Sequence, residues 1–225
     1  MNIRSLGVLF DLDGVLVDST PAVARCWTRW SLLHGFDAED VVRRAHGRPS
    51  IATLRELLPN ADEQAENLQM ERWEIEDTDG LVPLPGAMRL LQTIPAGQWA
   101  IVTSCTRPLA EVRIRAAGLP WPTHLVTSDD VQRFKPDPEP YIKGAELLKL
   151  APADCLVVED APAGIRSGKA SGASVLALCT TEADPLSLSA AGADWIVNDL
   201  AAVQLLAPAD DHQLTFSLAG KSTHL

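Results

Sequence analysis

The chain has 225 residues, enough for one large domain or two and for a sizeable core. Hydrophobic residues make up 46% and charged residues 22%, which excludes a disordered chain, and no run approaches the ~20 apolar residues of a membrane span. The net charge of −11 excludes a general nucleic-acid binder, which needs a basic face, but not a phosphate ligand held by a few local donors.

The N-terminus, Met1-Asn2-Ile3-Arg4, has neither the apolar run nor the small-residue cleavage site of a signal peptide, and runs directly into a predicted strand. Six short runs rich in Val, Ile and Leu follow along the chain: Leu6–Phe10, Ala100–Val102, His124–Val126, Leu156–Val158, Val175–Leu178 and Trp195–Val197. Continuous apolar runs of that length are expected of strands buried on both faces. Most are separated by segments with helical spacing. One carries Leu109, Val112, Ile114 and Ala117 and is closed by Gly118; another carries Tyr141, Ala145 and Leu148 after the proline-rich start Lys135-Pro136-Asp137-Pro138. Strand and helix in alternation predict βαβ units and a parallel sheet.

One region breaks the alternation. Between Asp18 and Leu81 no strand is evident. Ser19-Thr20-Pro21 reads as a helix start, a hydroxyl cap with proline in the first turn. Trp27, Trp30 and Leu33 follow at helical spacing, Leu54, Leu57 and Leu58 mark a second helix ending near Pro59-Asn60, and Leu68 to Trp73 a third. Val82-Pro83-Leu84-Pro85-Gly86 reads as a return hinge. The expectation is a helical module inserted after the first strand, with the polar tail after Ala207 loosely ordered. The four cysteines, Cys26, Cys105, Cys155 and Cys179, form no C-x-x-C pair, which speaks against a zinc ribbon and for reduced thiols in a cytoplasm.

The chemistry-bearing residues cluster at strand ends. The first strand closes in Asp11-Leu12-Asp13-Gly14, two carboxylates that repel unless a cation joins them, and a hard divalent ion such as Mg²⁺ suits oxygen ligands. The second ends in Thr103-Ser104-Cys105-Thr106, hydroxyls and N–H groups opening a helix, either an anion cradle or an ordinary cap. Lys135 follows the third strand and offers a cation. The fourth ends in Glu159-Asp160, metal ligands or a solvated turn. Taken singly, each has an ordinary structural explanation. A parallel sheet, however, gathers its strand C-termini on one edge, near a topological switch point, and there the four sets together suit a bound phosphoryl group.

Asp11-Leu12-Asp13-Gly14, Thr103-Ser104, Lys135-Pro136 and Glu159-Asp160, in that order over residues 6–180, resemble the four signatures of the haloacid dehalogenase superfamily of phosphohydrolases. His46-Gly47-Arg48, Trp99 to Arg107, Lys135 to Tyr141 and Val158 to Gly164 are similar to the 2-deoxyglucose-6-phosphatase and glycerol-phosphatase branch. The resemblance implies an α/β fold, a Rossmann-like parallel sheet with helices on both faces, for residues 1–17 and 82–225, and an inserted α-helical cap domain over 18–81. It implies Asp11 as nucleophile, Asp13 as general acid and then base, and Mg²⁺ on the Asp11 carboxylate, the Asp13 backbone carbonyl and Asp160, with Glu159 a direct or an indirect ligand. Ser104, the Cys105 N–H and Lys135 would hold phosphate oxygens.

For specificity, His46-Gly47-Arg48 is the candidate loop, with Gly47 permitting close approach and Arg48 reaching substrate, or else a surface arginine after a turn. Asp18 contacts substrate or caps the first cap helix, the cap role being favoured. Trp27, Trp30 and Trp73 form a sugar-stacking wall or, preferably, the cap's own core, and Arg107 assists the phosphate or begins a helix. The implied partner is a small phosphorylated metabolite, with no nucleic acid and no membrane, and the chain is expected as a monomer or weak dimer in the cytoplasm. A hexose-phosphate mutase of the β-phosphoglucomutase type is the alternative enzyme, disfavoured because Val23 stands where such enzymes usually have histidine. A phosphonate hydrolase would need a cap lysine, and residues 18–81 contain none. A non-catalytic phosphate-binding module is disfavoured by the intact pair Asp11 and Asp13.

Overall fold

A computed structural model describes residues 1–45, 50–181, 184–206 and 213–219. In chain order, β1 (Asn2–Ser5) and β2 (Gly7–Phe10) lead to a short β3 (Val17–Asp18). Four helices follow: α1 (Thr20–His34), α2 (Ala38–Ala45), α3 (Ser50–Leu57) and α4 (Glu63–Glu76). The chain returns through β4 (Val82–Pro83), α5 (Ala87–Thr93), β5 (Trp99–Val102), α6 (Arg107–Ala116) and β6 (Leu125–Val126). It continues with α7 (Glu139–Leu147), β7 (Cys155–Glu159), α8 (Pro162–Ser171), β8 (Ser174–Leu178), α9 (Pro185–Ala190) and β9 (Trp195–Val197), and ends with β10 (Val203–Leu205) and β11 (Leu214–Leu218).

The six predicted strands form one parallel sheet in the order β6-β5-β2-β7-β8-β9. Their side chains alternate between two cores. Val8, Phe10, Ile101 and Val158 face α5 and α6, while Leu9, Ala100, Val102 and Val157 face α7, α8 and α9. That double burial is why these strands read as unbroken apolar runs. The chain builds outward from β2 through β5 to β6, then crosses to β7 on the other side of β2, so the switch point lies between the C-terminal ends of β2 and β7.

The insertion leaves and re-enters the core at one place, because β3 and β4 pair antiparallel with Val17 opposite Pro83 and Asp18 opposite Val82. It has its own hydrophobic cluster, which includes Trp27, Trp30, Leu54, Met70 and Trp73. The tryptophans are therefore core and not a stacking wall. Trp30 is fully buried, stacks on Phe36 with centroids 5.5 Å apart, and donates its indole N–H to Glu66 Oε2 at 2.8 Å. Trp30→Ala is expected to destabilise the protein by about 3–5 kcal/mol, measured by urea unfolding, through the cavity and the lost hydrogen bond.

Three local readings are corrected. Ser19 occupies the N-cap of α1 but its hydroxyl makes no capping bond; Asp18 Oδ1 accepts from the Thr20 N–H at 3.1 Å instead. Among the described residues the insertion holds four helices, one more than its apolar spacing predicts. The fourth, α2, is rich in charge and buries only Val41 and Ala45, so its apolar signal is weak, and it starts where Asp37 Oδ1 accepts the Asp40 N–H at 2.8 Å. The tail is not uniformly loose. Leu214, Phe216 and Leu218 alternate inward along β11, which lies between β1 and β10 in a three-stranded antiparallel sheet against the α5 side of the core.

Candidate active site

Asp11 is the first residue beyond β2, and its N–H extends the ladder to Val158 of β7 at 3.0 Å, which fixes it beside Glu159 and Asp160. One carboxylate oxygen each from Asp11, Glu159 and Asp160 lies within 4.8 Å of the others. Lys135 enters this cluster from the segment before α7. Its Nζ is 3.0 Å from Asp11 Oδ1 and 2.8 Å from Glu159 Oε1, donates to the Val102 carbonyl at 3.0 Å, and its side chain is 7% exposed.

Glu159 is held from every side. Its Oε1 also accepts from the Tyr141 hydroxyl at 2.6 Å, and its Oε2 accepts the N–H groups of Asp160 at 3.0 Å and Ala161 at 3.3 Å. The space for its carboxyl exists because residue 164 is glycine, where a Cβ would overlap it. Asp160 Oδ2 accepts from the Thr181 hydroxyl, and the Thr180 hydroxyl donates to the Gly14 carbonyl, tying the loop after β2 to the loop after β8. Gly14 adopts a φ of 74°, and a side chain there would strike the Asp160 carboxyl.

Three carboxylates share one ammonium. Burial, opposed by Lys135 and reinforced by Glu159 and Asp13, raises the Asp11 pKa from 3.8 to about 7. Burial and the neighbouring Glu159 and Asp11 raise that of Asp160 well above its ordinary value. For Lys135 burial works against the charge, but Asp11 and Glu159 outweigh it and hold the pKa above the usual lysine range. An all-oxygen donor set with uncompensated negative charge fits a hard divalent cation such as Mg²⁺.

A pH-dependent response to metal follows. Between the unfolded 3.8 and about 7, the folded chain binds more protons at Asp11 than the unfolded chain, so without metal this group lowers stability as pH rises through that window. A cation must displace those protons. The Mg²⁺-induced rise in Tm is expected to be larger at pH 7.5 than at pH 5.5, by about 3 °C or more, in calorimetry against EDTA. An equal rise at both values contradicts the assignment.

Asp13 lies outside this cluster. Its Oδ2 accepts from Arg113 Nη1 at 2.6 Å and from the Cys105 thiol at 3.0 Å. Ser104 stands exposed at the end of the β5 turn. The Cys105 N–H, expected to face an anion, donates to Thr103 Oγ1 at 3.1 Å. Arg107 begins α6 and is bound to Asp129 through its N–H and to Asp130 through its guanidinium, both at 2.8 Å. His46, Gly47 and Arg48 lie outside the described residues.

No sequence pattern marks Arg113, Tyr141 or Thr181 as a site residue; Tyr141 reads only as an apolar position of a helix. Arg113 sits on the buried stripe of α6 with Leu109, Ala110 and Ile114. A charge at a core-facing position is itself a signal that a partner exists. Tyr141 is the chain's single tyrosine, placed on the helix that follows Lys135, and its hydroxyl gave no pattern to read.

Fold and site define a parallel α/β protein whose sheet edge presents a cluster of carboxylates beside a buried lysine. The chain belongs to the haloacid dehalogenase-like hydrolases, whose family model matches residues 6–172. It is 48% identical over 180 residues to hexitol phosphatase A of Escherichia coli, covering 78% of this chain and 83% of that one. It is 34% identical over 224 residues to 2-deoxyglucose-6-phosphate phosphatase 1 of Saccharomyces cerevisiae, covering 88% and 89%. A hydrolase from Pseudomonas syringae superposes with a TM-score of 0.75 at 27% identity, over 87% of this chain and 94% of that one.

Proposed function

We propose that this protein is a Mg²⁺-dependent phosphatase that hydrolyses small sugar or polyol phosphate monoesters through an aspartyl-phosphate on Asp11. The observation that carries the reading is the convergence of Asp11, Lys135, Glu159 and Asp160 at the switch point of the sheet. The similarity to a hexitol phosphatase and a 2-deoxyglucose-6-phosphate phosphatase supports the substrate class.

Asp11 and Asp160, with the Asp13 carbonyl, would hold the cation. Glu159, with both oxygens already engaged, would act mainly by fixing Lys135 and the Asp160 backbone. Mg²⁺ bound there supplies positive charge against the phosphoryl oxygens. Asp11 attacks phosphorus as the ester P–O bond breaks, and Lys135 favours its ionised form against the opposing effect of burial. Asp13 gives a proton to the departing alkoxide, then takes one from the water that cleaves the aspartyl-phosphate. Ser104, Lys135 and the Cys105 N–H, if released from Thr103, hold phosphate oxygens.

Residues 18–81 serve as a cap over a core made of 1–17 and 82–225, with Gly47 and Arg48 as its candidate substrate-binding residues. Closure excludes water from the acyl-phosphate until the alcohol has left. A mutase is disfavoured because Val23 packs against the insertion's own core, where it offers no polar group to a second substrate orientation. Among the described residues no helix is long and apolar enough to cross a membrane, and Cys26, Cys105, Cys155 and Cys179 form no disulfide; the reading is of a cytoplasmic enzyme acting as monomer or weak dimer.

The test is a panel of hexitol, hexose and glycerol phosphates with nucleotides as controls, scored by kcat/KM with Mg²⁺ and with EDTA. Metal-dependent hydrolysis highest among the hexitol and hexose phosphates is the expected result. Absence of hydrolysis across the panel with Mg²⁺ present refutes the reading.

A further inference from the structure

Arg113 is 5% exposed and lies outside the carboxylate cluster. Its guanidinium forks between two parts of the molecule. Nη1 donates to Asp13 Oδ2 at 2.6 Å and meets Cys105 Sγ at 2.9 Å, and Nη2 donates to Glu74 Oε2 at 2.6 Å. Asp13 belongs to the loop after β2, whereas Glu74 belongs to α4 of the insertion. With the Cys105 thiol also on Oδ2, one oxygen of Asp13 is doubly held, while Oδ1 is shielded from solvent and has no hydrogen-bond partner among the described residues. Two donors on one oxygen restrict both side-chain torsions of an aspartate and so fix where its other oxygen points.

The insertion has a second polar link to the same region. Glu71, one turn before Glu74 on the same face of α4, accepts from the Thr106 hydroxyl at the N-cap of α6. Placement of α4 on α6 and placement of the Asp13 carboxylate are thus connected through a single planar side chain. Lysine could not reproduce this, since an ammonium lacks the fixed fork that engages two carboxylates at once.

We propose that Arg113 is a positioning residue for Asp13, and that Glu74 makes this positioning conditional on the insertion being docked on α6. The inference deepens the phosphatase reading and rests on it. The insertion then does more than cover the site: it sets the geometry of the group that exchanges protons with the leaving alcohol.

The experiment compares a hexitol phosphate, whose alkoxide needs a proton to leave, with 4-nitrophenyl phosphate, whose phenolate does not. In the full-length protein with Mg²⁺, Arg113→Met is expected to lower kcat on the hexitol ester about tenfold more than on the aryl ester, since small displacements of a proton donor are costly. Arg113→Lys, which keeps the charge, is expected to show a smaller shift of the same ratio. Glu74→Gln is expected to shift it too, although Asp13 and Arg113 are both intact. Thermal unfolding identifies a variant that has not folded, and if Arg113→Met is one, the Lys and Gln variants decide. Equal losses on the two esters in folded variants mean that Arg113 only supports the fold, and overturn the proposal. An unchanged ratio in Glu74→Gln overturns the link to the insertion. If the parent protein cleaves neither ester, the phosphatase reading itself falls, a result distinct from both.

Discussion

Asp11→Asn is expected to abolish turnover, by about 10⁴-fold or more in kcat, while the protein stays folded and its Tm holds or rises. The amide has nearly the shape of the carboxylate but cannot attack phosphorus as an anion. It also removes one of three carboxylates crowded around Lys135, and burial, which raises the Asp11 pKa to about 7, no longer has a charge there to oppose. Lys135 retains Glu159 at 2.8 Å, so the cation is not orphaned. Steady-state kinetics and calorimetry on the same preparation check both halves. Near-parental activity removes Asp11 from the chemistry, whatever the stability shows.

Lys135→Met is expected to lower kcat by about 10²–10³-fold and, unlike Asp11→Asn, to lower stability, by about 3–5 kcal/mol in the absence of metal. Lys135 pairs with two carboxylates and a backbone carbonyl. Its loss leaves Asp11, Glu159 and Asp160 facing one another with no positive charge. A divalent cation partly replaces that charge, so the stability loss should shrink as Mg²⁺ is raised. The opposite signs of the two stability effects distinguish an electrostatic cluster from general damage to the site. A Lys135→Met protein as stable as the parent in EDTA would show that the lysine does not neutralise the cluster.

Much of this site lies open in the sequence because parallel sheets impose a simple geometry. Six apolar runs became six strands, and the residue just past each C-terminal end was bound to fall on one edge. Asp11, Glu159 and Asp160 meet there because β2 and β7 are neighbours, and Lys135 reaches them from the segment after β6, two strands from β2, past the end of β5, where its Nζ donates to the Val102 carbonyl. The end of the tail was misread for a related reason. Leu214, Phe216 and Leu218 do alternate, but five residues form a strand only when others flank them, and their partners, β1 and β10, come from the chain start and from just before the tail.

By itself the sequence determined the alternation of strand and helix, the insertion after the first predicted strand and the acids and lysine that meet at the sheet edge, because local periodicity and strand polarity suffice for these. Only the tertiary structure decided what each carboxylate is bound to. Asp13 turned out to belong to Arg113, 100 positions away, and Arg113 to Glu74, 39 positions away, while Glu159 was taken by Tyr141 as well as Lys135. Such pairings depend on where two distant helices pack and which rotamer fills the space between them, and no spacing along the chain encodes that.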